Sequence, residues 1–174
     1  MRMSEPVKTV LISGCLLGLE CNYKAKASNA WHERLRFFVE KAISVGLAFV
    51  PVCPEQLGGL PTPRIPAELQ GSAKEIFAGQ GKVLNQSGDD VTSCFVKGAR
   101  ESLKMAKLFS ASLAVLKSKS PSCGCNGVYD GSFSGKLVSG EGLTALLLRQ
   151  NGVRVIDENE FVFLCGQESG LKKL

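Results

Sequence analysis

The sequence predicts an α/β fold built from parallel β-α-β units. Two observations carry this. Short apolar runs rich in β-branched residues, at Lys8–Ser13, Leu47–Val52, Leu113–Lys117 and Val153–Ile156, alternate with stretches of helical periodicity. The first three runs each lead directly or within a few residues to a cysteine set among Gly, Pro or Ser: Cys15 in SGCLLG, Cys53 in VCPEQLGG and Cys123 in KSKSPSCG. In sheets of this kind, ligands bind outside the carboxyl ends of the strands, where the strand order reverses. The three cysteines are therefore expected to meet at one sheet edge, and a metal cluster is the expected occupant.

Taken in order, Lys8–Ser13 reads as a buried first strand. Glu20–Asn29 is polar and irregular and contains Cys21. Asn29 is placed to cap a helix from Ala30 to about Val45, whose apolar positions Trp31, Leu35, Phe38, Val39, Ala42 and Ile43 recur at helical spacing. Gly46 is the natural end of that helix. Pro51 puts the second strand at a sheet edge or marks its end.

From Pro54 to Gly88 the chain reads as loop, with Pro54, Pro61, Pro63 and Pro66 and a short strand around Lys82–Leu84. A connection this long in a compact domain is usually functional. Asp89 or Asp90 caps a helix from Val91 to about Phe109. After the third strand comes a Gly- and Ser-rich stretch in which Val128–Gly131 suggests a turn or small hairpin over a binding site. A helix is expected from Ser139 or Gly140 to Leu148, then the fourth strand and a tail, Asp157–Leu174, that ends in a short polar segment.

Length and composition set the frame. The chain has 174 residues, 44% of them apolar, enough for one domain with its own core over 1–174. No apolar run reaches the roughly 20 residues of a membrane span, and the N-terminal run lacks the basic start of a signal peptide. The formal charge of +5 is mild and suits an anionic substrate or RNA. Seven cysteines, an odd number, fit a reducing cytoplasm in which cysteines serve metals or catalysis.

Cys94, in a helix, and Cys165, in the tail, read as buried small hydrophobes. Cys15, Cys53 and Cys123 do not, because loops rich in Gly and Pro present thiols to a site. Three widely spaced thiolates suit an iron–sulfur cluster or zinc with one open position; Cys123-Gly124-Cys125 adds Cys125 as a candidate fourth ligand. The lone His32 reads as a helix residue and not as a ligand. Glu55, two residues after Cys53, puts a carboxylate within reach for proton transfer. Ser120 and Ser122 flank Pro121 and offer hydroxyls to a substrate or cluster sulfur. Arg64 is a candidate substrate contact that reads equally as half of an exposed ion pair with Glu68. Tyr129 and Asp130 are placed to line a planar substrate. No phosphate-binding glycine motif is present.

With SGCLLG, VCPEQLGGLPTPRIPAE, KSKSPSCG, VYDGSFSG and GEGLTALLLRQNG in this order, the chain resembles the DUF523 family, which includes the thiouracil desulfidases. The likeness runs from about Val10 to Glu160. It implies a Rossmann-like three-layer domain with a mainly parallel sheet of about four to five strands. It also implies a [4Fe-4S] cluster held by Cys15, Cys53 and Cys123 with one open iron. Glu55 and Ser120 match the assisting Glu and Ser, and sulfur of a thiocarbonyl would be replaced by oxygen without net redox change. The implied partner is a small thiolated nucleobase or nucleoside, or a thiolated tRNA. Two segments depart from the family pattern: LECNYKAKA stands where an Arg-Tyr-Asp-Gly-like segment is expected, and SCGC replaces SCGS, which makes Cys125 a spare ligand or sulfur carrier. A non-catalytic cysteine-rich metal-binding protein and a thiol redox protein are the alternatives; the absence of a Cys-x-x-Cys pair counts against the second.

Overall fold

A computed structural model describes residues 7–27 and 29–167; the side chains of residues 29–34, Trp31 and His32 among them, lie outside the described residues, as does the far end of the tail. Four parallel strands form the central sheet: β1 (Lys8–Ser13), β2 (Leu47–Val52), β5 (Leu113–Leu116) and β8 (Arg154–Asp157), in the order β2-β1-β5-β8. The chain runs outward from β1 to β2, then returns to the other side of β1 for β5. The strand order therefore reverses between β1 and β5, and the cleft opens there. β2 is an edge strand, as Pro51 requires; Pro51 sits opposite Ile12 of β1.

Alternation along the strands feeds two apolar layers. Val10 and Ile12 of β1 pack with Leu35 and Val39 of α1 (Asn29–Ser44) and with Phe161 and Val162 of α6 (Glu158–Gly166). Leu11 points the other way, into a layer with Ala106 of α4 (Thr92–Leu108) and Ala145 and Leu148 of α5 (Leu143–Gln150). The result is the helix–sheet–helix sandwich expected from the sequence. Among the described residues no helix is long and apolar enough to cross a membrane.

The long stretch after Pro54 holds more structure than its prolines suggest. It contains α2 (Pro54–Leu57), β3 (Ala67–Gln70), α3 (Ala73–Phe77) and β4 (Lys82–Asn85). β3 and β4 pair antiparallel and close a third apolar cluster around Leu69, Ile76, Val83 and Phe95. Ser72 caps α3 through a reciprocal pair with Glu75: each side chain bonds the other's backbone N–H. The expected hairpin is present as β6 (Val128–Tyr129) and β7 (Leu137–Val138).

Three features differ from expectation. Val91, not an aspartate, precedes α4, but the Asp90 carboxylate still accepts from the Thr92 N–H and hydroxyl. α5 starts at Leu143, after Gly142, where a Cβ would overlap the Ser122 carbonyl. The third difference is an element the sequence reading does not include: at the start of the tail Asp157 accepts from the N–H groups of Asn159 and Glu160 and caps α6, which buries Phe161, Val162 and Cys165.

Helix α2 carries the residues that follow Cys53 and lies against α4 at two glycines. A Cβ on Gly98 would overlap the Pro54 carbonyl, and one on Gly58 would overlap the Cys94 carbonyl. Backbone therefore meets backbone at this crossing. Gly98→Ala is expected to cost about 1–3 kcal/mol through overpacking and to speed amide exchange in residues 54–58; urea denaturation and exchange mass spectrometry check it.

Candidate active site

Each strand end delivers one cysteine to the same cleft. After β1, the chain turns through a 3-10 segment, Gly14–Leu17, closed by Gly18 in the left-handed conformation at φ 97°. Cys15 lies in that turn, half-buried. Cys53 follows β2 directly and stands at the N-cap of α2, so Glu55 falls in the first turn of that helix. After β5, residues Lys117–Gly124 form a loop held at both ends. The Lys117 N–H donates to the Ser13 hydroxyl across the β1–β5 divide at 2.9 Å. At the far end, N–H groups at the start of α5 donate to the carbonyls of Pro121 and Ser122.

Within that loop the Ser120 hydroxyl oxygen accepts from the N–H groups of Ser122 and Cys123, both at 3.1 Å, and its proton points to Glu55 Oε1 at 3.5 Å. Lys119, just before, has a left-handed backbone with φ 62°. The fully buried Glu158 braces the loop from below: it accepts from Lys117 Nζ at 2.7 Å and from the Ser118 N–H and hydroxyl at 2.8 Å each.

The three loops enclose a cavity of about 680 Å³. Cys15, Cys53, Cys123, Glu55, Ser120, Arg64 and Tyr129 all line it. Cys21 lines it as well. The Cys53 thiol donates to the Cys21 carbonyl at 3.4 Å, and four cysteines line this space. The sequence motifs give Cys21 no role. The available signal was its six-residue separation from Cys15 across Gly18, whose left-handed turn folds the segment back.

Arg64 is not paired with Glu68, and neither is exposed as a surface ion pair would be. Arg64 Nη2 meets Glu55 Oε2 at 2.6 Å, with the two side chains 7% and 15% exposed. Glu68 is buried and accepts from the N–H groups of Gly131 and Phe133 at 3.0 Å each. It thereby holds the turn of the β6–β7 hairpin over the cavity, with Tyr129 and Phe133 on the inner wall. Ser122 lies outside the cavity lining: it is fully buried, and its hydroxyl has no partner among the described residues. Cys125 also lies outside, in the apolar layer with Leu11 and Leu148. Cys165 is buried in the opposite layer, as expected.

The thiols sit in surroundings that disfavour charge in the metal-free protein. Cys21 is pushed up to about 11, first by the neighbouring Cys15 thiol and also by burial. Cys53 is pushed up through its contact with Cys21, burial and the Glu55 carboxylate. Burial does the same to Cys123, with the Glu55 charge adding to it. Among the described residues, no three His, Cys, Asp or Glu side chains converge as a single-ion site requires; the thiols stand around the space instead.

Comparison with known proteins shows the family. The model of a family described as 2-thiouracil desulfurase matches residues 10–160. The chain belongs to the 2-thiouracil desulfurase family. An uncharacterized protein of Bacillus subtilis (strain 168), YbbK, is 45% identical over 152 residues, which is 87% of this chain and 96% of that protein. A solved structure described as the [4Fe-4S]-dependent thiouracil desulfidase TudS (DUF523Vcz) superposes with a TM-score of 0.74 at 36% identity, covering 88% of this chain and 92% of that one. In this member of the family Cys15, Cys53, Cys123, Glu55 and Ser120, all singled out from the motifs, line one cavity.

The raised thiols set a pH dependence. An unfolded chain releases thiol protons from about pH 8.5, whereas Cys21 and Cys165 in the folded, metal-free chain hold theirs to about 11. Between those values the unfolded state binds fewer protons, so stability falls as pH rises. The urea midpoint of the metal-free protein is expected to hold from about pH 7 to 8 and to drop between about 9 and 11. Cys165→Ala should flatten part of that drop.

Proposed function

We propose that this chain is a [4Fe-4S]-dependent, non-redox desulfidase. It would replace the thiocarbonyl sulfur of a thiolated pyrimidine, 2-thiouracil-like, by oxygen from water and release sulfide. The observation that carries the reading is the convergence of three thiols from three strand ends on a cavity that also presents Glu55 and Ser120. The donor set fits a cluster. All candidate ligands are soft sulfur, and an array spread around a cavity suits a multi-iron group better than one zinc ion. Cys15, Cys53 and Cys123 would hold it, matching the three-cysteine pattern of the family motifs. When bound, the cluster supplies a Lewis-acidic iron with affinity for soft sulfur.

The rest of the reaction falls to the chain's own groups. A thiocarbonyl and water become a carbonyl and hydrogen sulfide, so the water must lose both its protons and the departing sulfur must gain them. Glu55 Oε1 faces the cavity and Ser120, while Oε2 is tied to Arg64. Oε1 is therefore the oxygen free to take a proton from the attacking water. The Ser120 hydroxyl, oriented by two backbone N–H groups, donates toward charge developing on the ring or passes a proton on. Tyr129 and Phe133 offer flat walls to an uncharged base. Ser122, beneath the loop, supports Ser120 through its N–H and does not touch substrate in this reading. The free base or nucleoside is the proposed substrate form.

The test is iron and acid-labile sulfide content after anaerobic purification, followed by turnover of 2-thiouracil and 4-thiouridine. About four of each per chain is expected for a [4Fe-4S] cluster. Cys53→Ser should strip the iron, and Cys21→Ser should keep it. Glu55→Ala should keep iron and lose turnover by about 100-fold or more. Full iron content with no release of sulfide from either compound would instead favour a cluster-binding protein without catalysis.

A further inference from the structure

The most heavily engaged side chain at the cavity is Arg64. Its guanidinium gathers contacts from one whole side of the cleft. Nη2 pairs with Glu55 Oε2 at 2.6 Å, and Nη1 and Nη2 both donate to the Cys21 carbonyl at 3.1 Å. Nη1 also donates to the Thr62 hydroxyl at 3.2 Å and the Pro61 carbonyl at 3.4 Å. Nη2 lies 3.9 Å from Cys53 Sγ. The Arg64 N–H meanwhile donates to the Tyr23 carbonyl at 2.9 Å. Three segments that share no regular hydrogen-bond ladder therefore meet on one residue: the loop with Cys21, the helix start with Cys53 and Glu55, and the Pro61–Arg64 loop.

We infer that Arg64 is the positioning residue of the site: it anchors Oε2 of Glu55 and the Cys21 carbonyl together, and so turns Oε1 toward Ser120 and the cavity. A planar guanidinium can serve a carboxylate and a carbonyl at once, which an ammonium cannot do with the same geometry. With these donors occupied and its side chain nearly covered, Arg64 has little left for a substrate. Its effect on the reaction runs through Glu55. This inference rests on the reading of Glu55 as the group that takes the proton from water.

The decisive comparison uses the anaerobically reconstituted full chain with 2-thiouracil as probe, in four forms: wild type, Arg64→Ala, Glu55→Ala and the double variant. A misplaced carboxylate is expected to lower kcat by about 100-fold in Arg64→Ala with little change in KM. In the Glu55→Ala background, the same substitution should add almost nothing, because the group it positions is already gone. Additive losses, or a large rise in KM with kcat retained, would show Arg64 acting on substrate directly and would overturn the inference. Arg64→Lys covers the case in which the alanine variant fails to load iron; wild-type kcat in the lysine form would also overturn it.

A second readout separates this inference from the function on which it rests. In the metal-free chain, amide exchange of residues 53–58 and 20–24 should accelerate about tenfold or more in Arg64→Lys, because the tie between the segments is lost. Unchanged exchange would sink the positioning role even if the enzyme proves to act on another substrate. Accelerated exchange with no turnover by wild type on any thiolated probe would leave the anchor in place and remove the reaction.

Discussion

The site depends on β1 having a parallel neighbour on each side. Because β2 and β5 both pair with it, the carboxyl ends of all three strands emerge on one edge. The hydrogen bond from the Lys117 N–H to the Ser13 hydroxyl carries the pairing one step past the end of the strands. Without it, the two loops would diverge at the point where the cleft has to form. Ser13 is 2% exposed, so its hydroxyl gains a partner that water does not supply. A serine at the last position of an otherwise apolar strand is the local cause of a long-range result: Cys15 and Cys123, far apart in sequence, face one space.

Strand ends fix only where the loops start. The loops themselves are held by carboxylates that bond backbone: Glu158 under Lys117 and Ser118, Glu68 under Gly131 and Phe133. Glu55 differs, because its partner is the guanidinium of Arg64. A pair this covered is costly to break from one side, about 3–5 kcal/mol for a buried ion left alone. The same desolvation makes it a weak source of net stability. Its value lies in geometry: it selects one orientation of a carboxylate that would otherwise rotate freely at the mouth of a cavity.

Much of this was legible in the sequence, and the limits have physical reasons. The parallel strands announced themselves as β-branched runs, and the strand-end rule placed Cys15, Cys53 and Cys123 together without any contact being known. Glu55 followed from its two-residue distance to Cys53. Even in the proline-rich stretch, Lys82–Leu84 marked β4. The shorter elements were hidden. α2 is one turn long, too short for any periodicity to register. β3 and α3 lie among or just after prolines that read as loop. α6 has Asp157 and Glu160 to mark its start, but its run Phe161–Cys165 is apolar without interruption and shows no single buried face. Pairings between loops were the least legible. Arg64 and Glu68 are four residues apart and suggest each other, yet Arg64 bonds Cys21, far back in the chain, and Glu68 bonds Gly131, far ahead. Cys21 failed for the same reason: its place at the cavity is set by the fold of its loop, which no strand rule reaches.

The cavity wall comes from two kinds of structure, which differ in how firmly they are tied to the central sheet. Cys15, Cys53, Glu55, Ser120 and Cys123 ride on loops tied within a few residues to the central sheet. Tyr129, Phe133 and the segment around Asn22 and Tyr23 ride on a two-strand hairpin and an irregular loop, each joined to the rest by a few side-chain and backbone bonds. Changes in those outer segments alter the walls without moving the sheet edge. The stretch Leu19–Ala27 belongs to the outer set. It is also the stretch that Arg64 grips, through the carbonyls of Cys21 and Tyr23. Arg64 therefore joins this outer wall to the Glu55 carboxylate. A substitution in that loop would be felt at Glu55 through one guanidinium rather than through the sheet.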